Sequence, residues 1–227
     1  MDDISTSSKT SSKIQHAGPV APRIAAALPD LITAGVFLWV WLDPSDWRHD
    51  LVSQGMLVML VEFILIHSSP FLGSAVIAYE QPLSRRLSMV GGLGVFYLLF
   101  VGGWALTFKS WWPVIAFAWL FSAKFIAVLS GRRLDEEGKA RQQGLWAMSI
   151  LWYLMAVFAT LFLPMPEFGV TGHGHTYGIP GSGEWVSHPH IVIAAGFLYF
   201  FLLGFSKLKG WDYATGRRAA RQGGSSA

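Results

Sequence analysis

The stretch VEFILIHSSP, residues 61–70, sets Glu62, His67, two serines and Pro70 inside a long apolar run. Ionisable side chains within such a run are costly in a bilayer and mark ion pathways, proton relays or bound partners. Asp30 and Lys124 fall within apolar runs of their own. Counting about 1.5 Å of rise per residue from the outer end of each run puts Asp30 at roughly 18 Å, Glu62 at roughly 16 Å, His67 at roughly 24 Å and Lys124 at roughly 20 Å. In a hydrocarbon core about 30 Å thick, all four lie between the midplane and the inner third. The expected pairs are Asp30 with Lys124, and Glu62 with His67 or Lys124, since pairing makes buried charge tolerable. Tyr97, Tyr153 and Tyr199 lie at nearby depths and can supply hydroxyls. The bland alternatives are equally physical: Lys124 can snorkel, Asp30 after Pro29 can mark a helix start, and His67 can be a packing residue. Glu62 is nearest the midplane and too short to reach water.

Glu62 and His67 are five residues apart, or about 140° around an ideal helix. They diverge unless the helix bends. Pro70 supplies a reason to bend, because it has no N–H for the Ile66 carbonyl. A kink would turn both groups toward one cavity and make HSSP a broken segment with free carbonyls.

The second chemical motif is a pair of His-x-His sequences, His173/His175 and His188/His190, in the segment 164–189. In an extended chain, residues i and i+2 point the same way. Each pair would then offer two imidazoles to one metal. Four imidazoles, or three with Glu184 or Glu167, suit Zn or Cu. His49 is expected on the same face. The alternative is a mobile glycine-rich loop whose histidines meet water or cap the next helix, with Pro189 at its first turn and His188 at its N-cap.

The elements that must position these groups are helical spans. The chain has 227 residues, 52% hydrophobic and 14% charged, with a mean hydropathy of +0.42. Ordinary soluble domains carry about 25% charged residues. Runs of roughly 20 apolar residues occur at 24–42, 51–79, 87–108, 111–130, 144–163 and 190–206, each long enough to cross a bilayer. The second must tilt, kink or leave the membrane early. The fold class is therefore an all-α integral membrane protein, a six-transmembrane-helix bundle occupying 23–209. Polar tails are expected at 1–22 and 210–227, the first disordered and the second basic.

Lys and Arg alternate between rich and poor segments at every loop: Arg85 and Arg86, then Arg132, Arg133, Lys139 and Arg141, then Lys207, Lys209, Arg217, Arg218 and Arg221 share one side. The positive-inside rule puts both termini in the cytoplasm. Trp39, Trp41, Trp47, Trp104, Trp111, Trp112 and Trp185 fall at or near the outer boundary, and Trp146 and Trp211 at the inner one, as interfacial anchors. Gly91 with Gly102, and Gly92 with Gly103, are eleven residues apart, so each pair lies on one face, expected to serve tight helix packing.

Absent motifs bound the function. There is no cysteine, hence no disulfide or thiolate site. No phosphate-binding loop or nucleophile elbow occurs. His67 has no second histidine at its depth for a bis-histidine haem. Nucleic acid is a poor partner for basic residues that flank apolar spans. The leading expectation is a small transport protein, carrier or channel, for a cation or proton-coupled solute, in a bacterial-type inner membrane. The outer histidines would capture the ion, and Glu62 and His67 would carry charge. Two alternatives remain open: a metal-dependent membrane enzyme or redox protein built on the His-x-His pairs, and an accessory subunit of a larger membrane complex. Expected partners are the lipid bilayer, a small ion or solute, and further copies or subunits.

Overall fold

The computed structural model describes residues 20–43, 49–77, 80–130 and 136–211. Those residues are helical, without strands. The tails expected at 1–22 and 210–227 fall almost wholly outside them. Seven helices follow in order: α1 Val20–Leu42, α2 His49–Ile77, α3 Leu83–Thr107, α4 Trp112–Leu129, α5 Glu136–Phe162, the short α6 Glu184–Ser187 and α7 Pro189–Lys209. Six of them, all but α6, are long and apolar enough to cross a membrane. They coincide with the six runs read from hydropathy, and the chain is an integral membrane protein.

Boundaries move for local reasons. The α5 helix starts at Glu136, not near 144, because Glu136–Gln143 holds no proline and is built from good helix formers apart from Gly138. The α7 helix runs to Lys209, where Gly210 takes a left-handed conformation (φ 68°) and ends it. Pro189 stands at its first turn and His188 at its N-cap, as the sequence suggests.

The bundle is organised around α2, which packs against α3 and α4 on one side and against α5 and α7 on the other. Each side has its own core. Ile64 joins Tyr97, Val101 and Phe117 from α3 and α4. Met59 and Ile66 belong to the larger core with Phe37, Tyr153, Tyr199 and Phe200. The first helix lies along α7. This approach is close because α7 presents glycines: a Cβ at Gly196 would strike the Phe37 ring, and one at Gly204 would meet Leu31 at 2.8 Å.

Two expectations are corrected here. The α2 helix continues through Pro70 without breaking. Pro70 does orphan the Ile66 carbonyl, but the Trp146 indole N–H of α5 donates to it at 3.0 Å. The Ser69 hydroxyl donates to the Leu65 carbonyl at 2.6 Å. HSSP is thus a helical segment repaired from a neighbour, not a broken path. Two tryptophans of the outer set also tie the protein together: Trp41 donates to the Pro166 carbonyl at 2.9 Å, and Trp112 to the Gln54 side-chain oxygen at 2.7 Å; Trp47 lies outside the described residues. Second, among the described residues no other helix closes on Gly91, Gly92, Gly102 or Gly103: a Cβ at any of them would meet no atom within 4 Å. The close contact of α3 is at Gly94, which faces the Phe121 ring.

Candidate functional site

Four helices converge on one polar cluster. From α1 comes Asp30, just after Pro29, whose carbonyl accepts the Thr33 hydroxyl at 2.8 Å. From α7 comes Lys207, whose Nζ lies 2.6 Å from Asp30 Oδ2, with side chains 22% and 13% exposed respectively. Gly204 is one turn before Lys207, on the same face; its missing side chain leaves room for Asp30, whose Cβ would be 3.3 Å from an added Cβ.

From α2 comes Glu62. The Tyr199 hydroxyl of α7 donates to Glu62 Oε1 at 2.5 Å. Tyr199 is fully buried. Its ring stands edge-on to Tyr153 of α5, with centroids 5.4 Å apart, and Ser149 of α5 lies beside its hydroxyl. The Tyr153 hydroxyl is directed elsewhere, to the Met59 carbonyl at 3.0 Å. Asp30 and Lys207 are within electrostatic reach of Glu62. The cluster therefore holds two carboxylates, one ammonium and a buried phenol. Chemically it has room for one more positive charge: a proton on Glu62, or a monovalent cation.

The expected pairing is corrected in two places. Asp30 pairs with Lys207, not Lys124. Lys124 is on α4, which packs against α2 and α3, and it makes no ion pair with Asp30 or Glu62. His67 does not join Glu62 either. With α2 unbroken, the imidazole turns the other way, stacked on Phe63 (centroids 5.8 Å, planes 11° apart) and edge-on to Tyr97 at 6.1 Å. It is exposed on the flank of the bundle. Of the four intramembrane residues singled out, only Asp30 and Glu62 share a site. Lys207 does not stand out in the sequence, because a lysine near a helix end reads as a snorkelling anchor. Tyr199 was noted only for its depth, and nothing local to it points at Glu62.

The histidine segment is not a loose loop. Val170, Tyr177, Ile179 and Val186 are buried in the main core. The Tyr177 hydroxyl donates to the Thr171 carbonyl at 2.6 Å, and the Gly169 N–H donates to the Trp41 carbonyl at 2.9 Å. The four histidines do not converge on one point, although the His188 and His190 rings meet edge to face with centroids 6.0 Å apart. His173 Nδ1 meets the Ser187 carbonyl at 3.0 Å. His188 Nδ1 meets Glu184 Oε1 at 2.8 Å. His190 is buried in the first turn of α7, and His175 is exposed in a 3-10 turn spanning Gly174–Tyr177. Among the described residues no group of three or more histidines and carboxylates is placed to hold a metal. The expected Zn or Cu set of His173, His175, His188 and His190 is not assembled. The reason is backbone geometry: His173 and His188 stand at N-caps while His175 and His190 lie in the turns that follow, so neither pair keeps the extended alignment of residues i and i+2.

No protein-family model, curated protein or solved structure matches this chain.

Proposed function

We propose that this protein is a small membrane carrier for a cation or a proton-coupled solute, and that Glu62 is the group that binds and releases the charge. The observation that carries the reading is the stoichiometry of the cluster: Asp30 pairs directly with Lys207, while among the described residues the one side chain that hydrogen-bonds Glu62 is the neutral Tyr199 hydroxyl. An ionised Glu62 leaves one net negative charge at membrane depth. Binding one proton or one monovalent cation makes the cluster neutral, and a site that alternates between those states is what a coupled carrier needs. The site lies where α1, α2, α5 and α7 meet, so small movements among these helices change which side it faces. The charge pattern of the loops supports cytoplasmic termini in a bacterial-type inner membrane.

The test is proton flux in vesicles carrying a trapped pH dye and a potassium diffusion potential. Glu62→Gln keeps an acceptor for Tyr199 but removes the charge change. The expected result is at least a tenfold loss of flux in a protein that inserts and elutes as the unaltered one does. Unchanged flux removes the proposal.

A second reading, as a subunit within an assembly, is favoured by one observation. His67 and the open glycines Gly92 and Gly103 lie on outer faces of the bundle, where a neighbouring helix would find a polar group and room for close approach. The mass of the particle in mild detergent distinguishes it from a lone carrier. The metal-enzyme alternative has lost the ligand set that motivated it.

A further inference from the structure

Because α1 lies along α7 and barely touches α2, the bundle has a gap on that flank. The gap is a crevice of about 220 Å³ lined by Val36, Phe37, Gln54, Gly55, Val58 and Ile193, among others. Its lining is almost wholly apolar. The polar lining groups have partners within the protein: the Thr33 hydroxyl donates to Pro29, and the Gln54 oxygen accepts from Trp112. Ile32 and Val36 at its mouth are 58% and 46% exposed, and they stand in the apolar stretch of a spanning helix. The mouth therefore opens to hydrocarbon.

Size decides among occupants. The lining runs from Ile32 to Val40 along α1, about 12 Å of helix. Spread along that length, the crevice is narrower than the roughly 10 Å diameter of a helix, so a partner helix does not enter it. Water is excluded too, since apolar cavities of this order stay dry and take up hydrocarbon. Gly55 deepens the floor: a Cβ there would meet Ile193 at 2.7 Å and Phe37 at 3.3 Å.

We propose that this crevice binds a single acyl chain of a bilayer lipid, held between α1 and α2. The chain fills the flank next to the charged cluster. Val58 is one turn from Glu62 on α2, and Thr33 is one turn from Asp30 on α1. The bound chain thus supplies the packing that the protein omits between the two helices carrying the carboxylates.

The test uses the full chain in nanodiscs of phosphatidylcholine bearing a photoactivatable diazirine midway along one acyl chain, with labelled positions read by peptide mass spectrometry. The expected result is at least fivefold more label on Val36, Phe37 and Val58 than on Val95 and Leu99 of the outer face of α3. Val36→Trp, which plugs the mouth, brings crevice labelling down to the α3 level in a protein that still inserts; Val58→Phe does the same from the α2 side should the first variant fail to fold. Equal labelling of the two faces overturns the proposal, as does a crosslink between two copies of the chain through these residues.

Discussion

The Tyr199 hydroxyl donates a 2.5 Å hydrogen bond to Glu62, joining α7 to α2 across the centre of the bundle. Removing the donor leaves Glu62 inside the bundle with one partner fewer. Tyr199→Phe is expected to destabilise the protein by about 1.5–3 kcal/mol, the range for hydrogen bonds to charged groups. The loss is smaller in a Glu62→Gln background, where the acceptor is neutral. Equilibrium unfolding of the four proteins in one detergent measures the coupling; fully additive losses would show that the bond does not respond to the charge on residue 62.

The Asp30–Lys207 pair predicts an asymmetric response. Lys207→Met leaves Asp30 largely buried without its cation, and removing one partner of such a pair costs about 3–5 kcal/mol. Replacing both, as Asp30→Leu with Lys207→Met, recovers most of the loss because no charge remains to be neutralised. The unfolding midpoints of the single and double variants check this. A double variant as unstable as the worse single one contradicts the pairing.

How far the sequence reached is set by the information each residue carries locally. Span positions need only length and apolarity, and α1 to α5 and α7 follow them closely. The divergence of Glu62 and His67 was also readable, since it follows from five steps of helical rotation. What the sequence could not supply was adjacency. Asp30 and Lys207 are 177 residues apart, and nothing near either of them says that α1 lies against α7. Likewise, Pro70 announces an orphaned carbonyl, but Trp146 answers it from a helix 80 residues away. The histidine pairs mislead for a different reason: the extended alignment of residues i and i+2 does not carry into the turns that hold His175 and His190.

The Trp146–Ile66 contact yields a compensation test. Trp146→Phe keeps the ring but removes the N–H, leaving the Ile66 carbonyl unsatisfied at a cost of about 1–3 kcal/mol. Pro70→Ala restores a backbone N–H at the position that bonds Ile66 in a regular helix. The double variant is therefore expected to be more stable than Trp146→Phe alone. Thermal unfolding decides it, and a double variant less stable than the single one rules out the repair.

Glycines that look alike in sequence behave differently in the bundle. Gly92 and Gly103 face open space, so Gly92→Ala and Gly103→Ala are expected to be neutral or to stabilise by about 0.5–1 kcal/mol through better helix propensity. At Gly196 the added carbon strikes Phe37, and Gly196→Ala is expected to cost about 1–3 kcal/mol from overpacking. Unfolding in detergent separates the two classes. A strong loss at Gly92 or Gly103 that appears only in the membrane would instead reveal a neighbour on the outer face of α3.

The histidines of the capping segment act through the protein's own groups, so their removal and metal removal have different consequences. His173 holds the Ser187 carbonyl, and His188 holds Glu184. Both sites are exposed, which keeps each contact at the weak end, roughly 0.5–1.5 kcal/mol for a hydrogen bond. His173→Ala is expected to loosen the segment by about that amount and to speed amide exchange around Ser187 and Val186. A strong chelator leaves the unaltered protein's unfolding midpoint where it was, because the four imidazoles converge on no common point. A midpoint that drops on chelation and returns with zinc would mean that the histidines regroup around a metal.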